Sequence, residues 1–127
     1  PSEPAAAPEP APHAIHEKTE AMQRALDKWV AHRRYVLNDQ TIDDIAADLG
    51  FDRFFFAWYF TNELHTTFRT WRTELRIKEA QRLLIEEDAA VASLHLKVGI
   101  SDKSNFYKHF KAHTGMTPTE YKKSAQK

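Results

Sequence analysis

The 127-residue chain has no cysteine, which removes disulfides, cysteine-ligated zinc and thiol nucleophiles at one stroke and leaves the fold to packing alone. That suits a reducing, cytoplasmic compartment. Glycine is scarce, with three residues in all, and none is grouped into a phosphate-cradling loop. No run approaches the roughly 18 apolar residues of a membrane span, and no charged start leading into an apolar stretch marks a signal peptide. Net charge is missing as well, since 18 Lys and Arg balance 18 Asp and Glu. A uniformly basic surface, the simplest mark of a nucleic-acid partner, is therefore excluded. Because it begins on Pro1 rather than methionine, the chain is expected to be a piece of a longer protein.

The charges are nevertheless unevenly spread. Residues 1–35 carry five basic and five acidic groups, residues 36–88 six basic and eleven acidic, and residues 89–127 seven basic and two acidic. The middle is at minus five and the last third at plus five, so the electropositive surface belongs to the C-terminal part.

Residues 1–14, opening PSEPAAAPEPAP, alternate Pro with Ala and Glu and read as an extended, semi-rigid linker. From about Ile15 to Tyr35, Ala21, Met22, Ala25, Leu26, Trp29 and Val30 recur at three and four and predict an amphipathic helix, with Trp29 and Tyr35 as anchors. Residues 15–127 form the folded part, all-α.

Beyond Asn38 the sequence repeats. TIDDIAADLGFDRFFFAWYF from Thr41 is matched by VASLHLKVGISDKSNFYKHF from Val91. In each copy a short helix (Ile42, Ile45, Leu49; Val91, Leu94, Val98) runs into Gly50 or Gly99. One apolar residue follows (Phe51, Ile100), then an N-cap (Asp52; Ser101 or Asp102), then a helix with aromatics four apart (Phe56 and Phe60; Phe106 and Phe110). Glycine supplies a left-handed helix end at low steric cost, and the cap starts the next helix at once. Two helices joined by a tight turn, with the outer side of the second in solvent, make a helix-turn-helix whose second helix can enter a major groove. The units are placed at about 41–65 and 91–114, with a linker helix at about 67–87 burying Phe68, Trp71, Leu75, Ile77, Ala80, Leu83 and Leu84. After Gly115, Thr117, Pro118 and Glu120 spell a capping box for a terminal helix containing Tyr121.

Three stretches, RIKEAQRLL at Arg76–Leu84, VGISDKSNFYKHFKAHTGMTP at Val98–Pro118, and Glu120 with Tyr121, make residues 20–123 resemble the DNA-binding domain of the AraC family of bacterial transcription regulators. The entry segment with Trp29 and Tyr35, and TFRTW at Thr67–Trp71, resemble the Bacteroides group of that family. The resemblance implies seven helices and binding to two successive major-groove segments about 10 base pairs apart. It implies an output module of a transcription regulator, partnered by double-stranded DNA, RNA polymerase and an upstream sensor or membrane domain. The full protein would be cytoplasmic or tethered to the inner membrane, and this chain would have no small-molecule site and no cofactor. Groove-facing residues carried over by position are Lys103, Ser104, Tyr107 and Lys108 in the second unit and Arg53, Phe54, Ala57, Trp58 and Thr61 in the first. Backbone amides near Asp52 and Asp102, Lys111 and the terminal lysines would meet phosphates. The family usually has glycine at His65, alanine at His95, phenylalanine at Ile100 and a more polar first recognition helix.

For several residues a plainer reading stands beside the functional one. Spaced lysines at Lys103, Lys108 and Lys111 are also what a solvated helix face looks like, and Ser104 is equally placed to act as a cap. Phe54 and Trp58 suit thymine methyls, the core, or a protein interface, and the last option defines an alternative function as a helical interaction module without base readout. His109 and His113, four apart on one helix, suit a metal ion, but no third ligand of good spacing accompanies them. No nucleophile motif or paired-carboxylate arrangement points to an enzyme.

Overall fold

The computed structural model describes residues 12–126 and contains seven α-helices, with no strand among the described residues. Residues 1–11 of the Pro/Ala-rich opening lie outside the described residues; its last three, 12–14, are already helical. α1 runs from Pro12 to Ala31, starting before Ile15, because proline fits the first position of a helix, where its missing N–H would be unsatisfied anyway. Met22, Leu26 and Trp29, at spacings of four and three, are its buried stripe. The helix stops short of Tyr35: Arg33 turns left-handed (φ 54°) and a 3₁₀ turn, Arg34–Val36, buries the Tyr35 ring against Trp29 at 6.2 Å.

The first helix-turn-helix comprises α2 (Ile42–Leu49) and α3 (Arg53–Asn62). α2 opens with a full capping box in which the Asp44 amide donates to Thr41 Oγ1 (3.1 Å) and the Thr41 amide to Asp44 Oδ2 (3.2 Å). It closes at Gly50, whose φ of 92° lets the Phe51 amide reach back to the Ala46 carbonyl at 2.9 Å. α4 (Phe68–Glu86) then crosses the molecule. The entry to the second unit is weaker than the repeat suggests: a 3₁₀ turn, Val91–Ser93, precedes a four-residue α5 (Leu94–Lys97), neither with a side-chain cap. α6 (Lys103–Thr114) is capped by Asp102, and α7 (Pro118–Ala125) carries the expected Thr117/Glu120 box.

Two cores result. Met22, Leu26, Trp29, Tyr35, Ile45, Phe56, Phe60 and Phe68 pack together around the first unit, and Ile77, Ala80, Leu84, Leu94, Val98, Phe106 and Phe110 around the second. α4 feeds both, and so does Val36 of the 3₁₀ turn, which packs against each cluster. The junction is held by polar contacts too. Arg76, buried on α4, donates from Nε to the Tyr35 carbonyl (2.6 Å) and from Nη2 to the Leu37 carbonyl (2.8 Å). Burial, then the neighbouring Arg72 cation, pull its pKa down to about 10. Gly99 (φ 84°) lies so close to this segment that a Cβ there would stand 2.9 Å from the Val36 carbonyl carbon and 3.1 Å from Arg76 Nη2, and would collide with the Val36 oxygen. No helix among the described residues is long and apolar enough to cross a membrane.

Candidate nucleic-acid interface

Counted from their caps, the second helices of the units align at an offset of fifty residues: Asp52 with Asp102, Phe56 with Phe106, Phe60 with Phe110. The positions carried over from the family pair in the same way, Arg53 with Lys103, Phe54 with Ser104, Ala57 with Tyr107, Trp58 with Lys108 and Thr61 with Lys111. On α3 all five are exposed, while Phe56, Tyr59 and Phe60 between them are buried. On α6 Lys103, Ser104, Lys108 and Lys111 are exposed and Tyr107 is half-buried, around buried Phe106 and Phe110. Each second helix therefore sinks one stripe into its core and presents the other to solvent.

The two faces differ in chemistry. Lys103, Lys108 and Lys111 form no ion pair with any described residue; Lys103 Nζ lies 5.8 Å from the Tyr107 ring centre. Arg53 of the first unit is partly neutralised by Asp43 Oδ2 at 3.7 Å and lies over the Phe54 ring at 4.9 Å. Phe54 is 73% exposed, and Trp58, at 36%, rests on Phe55, which rests on Phe51, each step 5.5 Å and 25° apart. Lys18 of α1 caps that stack 4.3 Å above Phe55. The core placement of Phe54 and Trp58 is thereby ruled out: both belong to the surface.

Three phosphate-binding expectations are narrowed. The amides of Phe54 and Phe55 at the start of α3 donate to Asp52 Oδ1 (2.9 Å each), and the Asn105 amide donates to Asp102 Oδ1 (3.0 Å), so carboxylates occupy these three donors and leave the first amide of α3, at Arg53, and the first two of α6, at Lys103 and Ser104, without a side-chain acceptor. The Phe55 amide above all, against the opposing pull of desolvation and with help from the Phe54 amide, holds the Asp52 carboxyl below its ordinary range. Among the terminal lysines, Lys122 is committed to Asp88 (3.0 Å) and the Ala89 carbonyl (2.9 Å), Lys123 is exposed and pairs with no described carboxylate, and Lys127 lies outside the described residues. Asp102, not Ser101 or Ser104, is the cap of α6.

The departures from the family also take physical form. His65 adopts φ 55°, the left-handed conformation Gly115 adopts fifty residues later at φ 78°. His95 is 8% exposed with its Nδ1 unpartnered, its ring 6.3 Å from Phe106. Ile100 is buried in the second core. Sequence reasoning missed that the offset runs on past the units. Thr67 caps α4 by accepting the Thr70 amide at 3.1 Å, as Thr117 caps α7, and Trp71 packs on Phe60 at 5.1 Å as Tyr121 packs on Phe110 at 5.5 Å. Extending the alignment to residue 121 would have found them. The Arg76 clamp was missed as well; its signal is an arginine between Leu75 and Ile77 on the apolar side of α4.

Comparison with known proteins bears on both units. A family described as a helix-turn-helix domain matches residues 53–124. The chain is 28% identical over 86 residues to the melibiose operon regulatory protein of Escherichia coli, covering 68% of this chain but 28% of that protein. It is 27% identical over 99 residues to the Msm operon regulatory protein of Streptococcus mutans (78% and 35%) and 34% identical over 85 residues to the transcriptional activator NphR of Rhodococcus (67% and 25%). The chain thus spans only about a quarter to a third of these relatives. Among solved structures, an AraC-type regulator from Chromobacterium violaceum aligns with a TM-score of 0.70 at 24% identity, over 84% of this chain and 96% of that one. The DNA-binding domain of AdpA, solved with a target DNA, aligns at 0.72 and 20% identity, over 84% and 93%.

Proposed function

The chain belongs to the AraC-type helix-turn-helix family, a family of DNA-binding regulator domains and not of enzymes, and we propose that it is the output module with which a bacterial transcription regulator reads double-stranded DNA. The observation that carries this reading is the pair of equivalent exposed faces at a fifty-residue offset, each capped by an aspartate and each backed by a buried phenylalanine pair. Two recognition helices fixed by one through-running α4 suit two successive major-groove segments, about 10 base pairs apart.

The second unit supplies most of the affinity. Lys103, Ser104, Tyr107 and Lys108 face base edges, and Lys111 faces the backbone, where unpaired ammonium groups release counter-ions. The first unit offers Arg53 and Thr61 for polar contacts, and Phe54, Ala57 and Trp58 for the methyl groups of thymine. The full protein works in the cytoplasm, free or tethered to the inner membrane, with a sensor or membrane region upstream and RNA polymerase as the downstream partner.

The exposed Phe54 favours one competing reading, a helical interaction module that kept the fold and lost base readout. Selection of sites from a random duplex pool at near-physiological salt separates the two. A two-part motif with halves about 10 base pairs apart is expected; a single half-motif would mean that only the second unit reads bases. No enrichment, with self-association abolished by Trp58→Ala, would establish the interaction module instead.

A further inference from the structure

One side of α6 is not used by the face just described. Asn105, His109 and His113, at spacings of four, look away from Lys103 and Lys111 and line a cleft of about 260 Å³ against α4. Opposite them stand Arg69, Arg72 and Arg76, at i, i+3 and i+7 on one face of α4, with Thr70, Thr73 and Ile100 completing the walls.

No acidic residue lines this cleft. None of the three arginines has a carboxylate partner among the described residues. Arg76 spends its donors on neutral carbonyls. Arg72 lies over the Phe68 ring at 5.1 Å and keeps a buried Nε with no acceptor. Burial first, and then Arg69, lower the Arg72 pKa, so the guanidiniums are destabilised by desolvation and by one another. Partly buried cations without a counter-charge are costly, and an oxyanion among them would offset that cost through charge-assisted hydrogen bonds to the guanidiniums. The same surroundings disfavour a metal ion at His109 and His113: a divalent cation would add to the repulsion, and no group of three ligating residues occurs among the described residues.

We propose that this cleft binds a phosphate group, held by Arg69 and Arg72 from α4 and by His109 and His113 from α6. Arg69 also lines the groove that carries Arg53, Phe54, Ala57 and Thr61 of α3. The site therefore sits between the two recognition faces, where the backbone joining two major-groove segments would run. The phosphate comes either from that DNA backbone, which rests on the function proposed above, or from a free anion, which does not.

Both sources are tested on the whole chain. The imidazole resonances of His109 and His113 are followed by NMR during titration with inorganic phosphate, without DNA, at ionic strength held constant with chloride. A saturable shift is expected, weakened at least about tenfold in an Arg69→Gln, Arg72→Gln double variant, with His16 on α1 unmoved. Arg69→Gln alone, at an exposed position, serves if the double variant loses its helical signal. In the second arm the salt dependence of duplex binding is measured. A slope reduced by about one in Arg69→Gln assigns the site to the DNA backbone, and an unchanged slope with the phosphate shift intact assigns it to a free anion. An unchanged slope with no saturable shift overturns the proposal, as does a response to zinc but not to phosphate. The phosphate arm remains decisive even if the chain binds no DNA.

Discussion

In the first unit the entry helix has eight residues, a complete capping box and a Schellman-type exit at Gly50, whereas in the second a 3₁₀ turn and a four-residue helix do the same job without a cap. The outward faces differ the other way: the well-built first unit presents Phe54 and Trp58 with a neutralised Arg53, and the loosely begun second presents three unpaired lysines. The centre of each core is shared, with phenylalanine at 56 and 106 and again at 60 and 110, and an aromatic at 71 and 121, although Tyr59 is matched by His109 and Phe68 by Pro118. A close-packed interior punishes small changes of volume, while an exposed position is nearly free to vary. The buried half of the repeat is thus kept by packing, and the exposed half by whatever each face touches.

The largest effect should come from the two turn glycines, which look equivalent in sequence and are not. At Gly50 a Cβ would meet nothing within 4 Å, so Gly50→Ala should cost only the strain of a left-handed alanine less the unfolded-state freedom that glycine carries, about 1 kcal/mol. At Gly99 the same methyl would be driven into the Val36 carbonyl, and Gly99→Ala should cost on the order of 3 kcal/mol or more. Urea unfolding of both variants checks this. Equal losses would mean that the strap at residues 34–37 yields easily, and that the placement of one unit against the other is not fixed there.

Next in size is the contrast between Lys108 and Trp58, which occupy the same place in their units. Lys108→Ala should weaken binding of the selected duplex and lower the salt slope by about one. Trp58→Ala should leave the slope unchanged and reduce discrimination at one base pair, by roughly 1–3 kcal/mol if a thymine methyl is the contact. Fluorescence anisotropy across a salt series, on matched and singly altered duplexes, distinguishes them. Identical slopes for both variants would remove the electrostatic distinction between the faces.

What could be read from the chain follows the same division. Elements whose signals are local, such as the turns at Gly50 and Gly99 and the Thr117, Pro118, Glu120 start of α7, stood out because a cap or a left-handed residue leaves a mark within a few positions. The shortness of α5 did not stand out: Val91, Leu94 and Val98 have helical spacing, and only the missing cap at Ala90 hints that the first turn tightens to 3₁₀. The Arg76 clamp and the cleft between α4 and α6 join residues some forty positions apart in each case, and no periodicity encodes such meetings. At the amides near Asp52 the donors left for phosphate are fewer for a simpler reason: the carboxylate that starts the helix also occupies two of them.

The smallest expected effect concerns the left-handed residue that follows each recognition helix. His65 and Gly115 both sit left-handed, at φ 55° and 78°, so the first unit bears a strain that the second avoids. Relieving a left-handed side chain is worth roughly 1–2 kcal/mol; against this, a new glycine adds about 0.4–1 kcal/mol of unfolded-state freedom. His65→Gly should therefore stabilise the fold by a few tenths to about 1 kcal/mol, whereas Gly115→Ala should destabilise it by about 1 kcal/mol. His65 is exposed, so no packing should be lost. If His65→Gly instead unfolds at lower urea, the imidazole contributes a contact of its own. If it is more stable but binds the selected duplex less tightly, the strained histidine is kept for DNA, and the two units differ there because their ligand contacts differ.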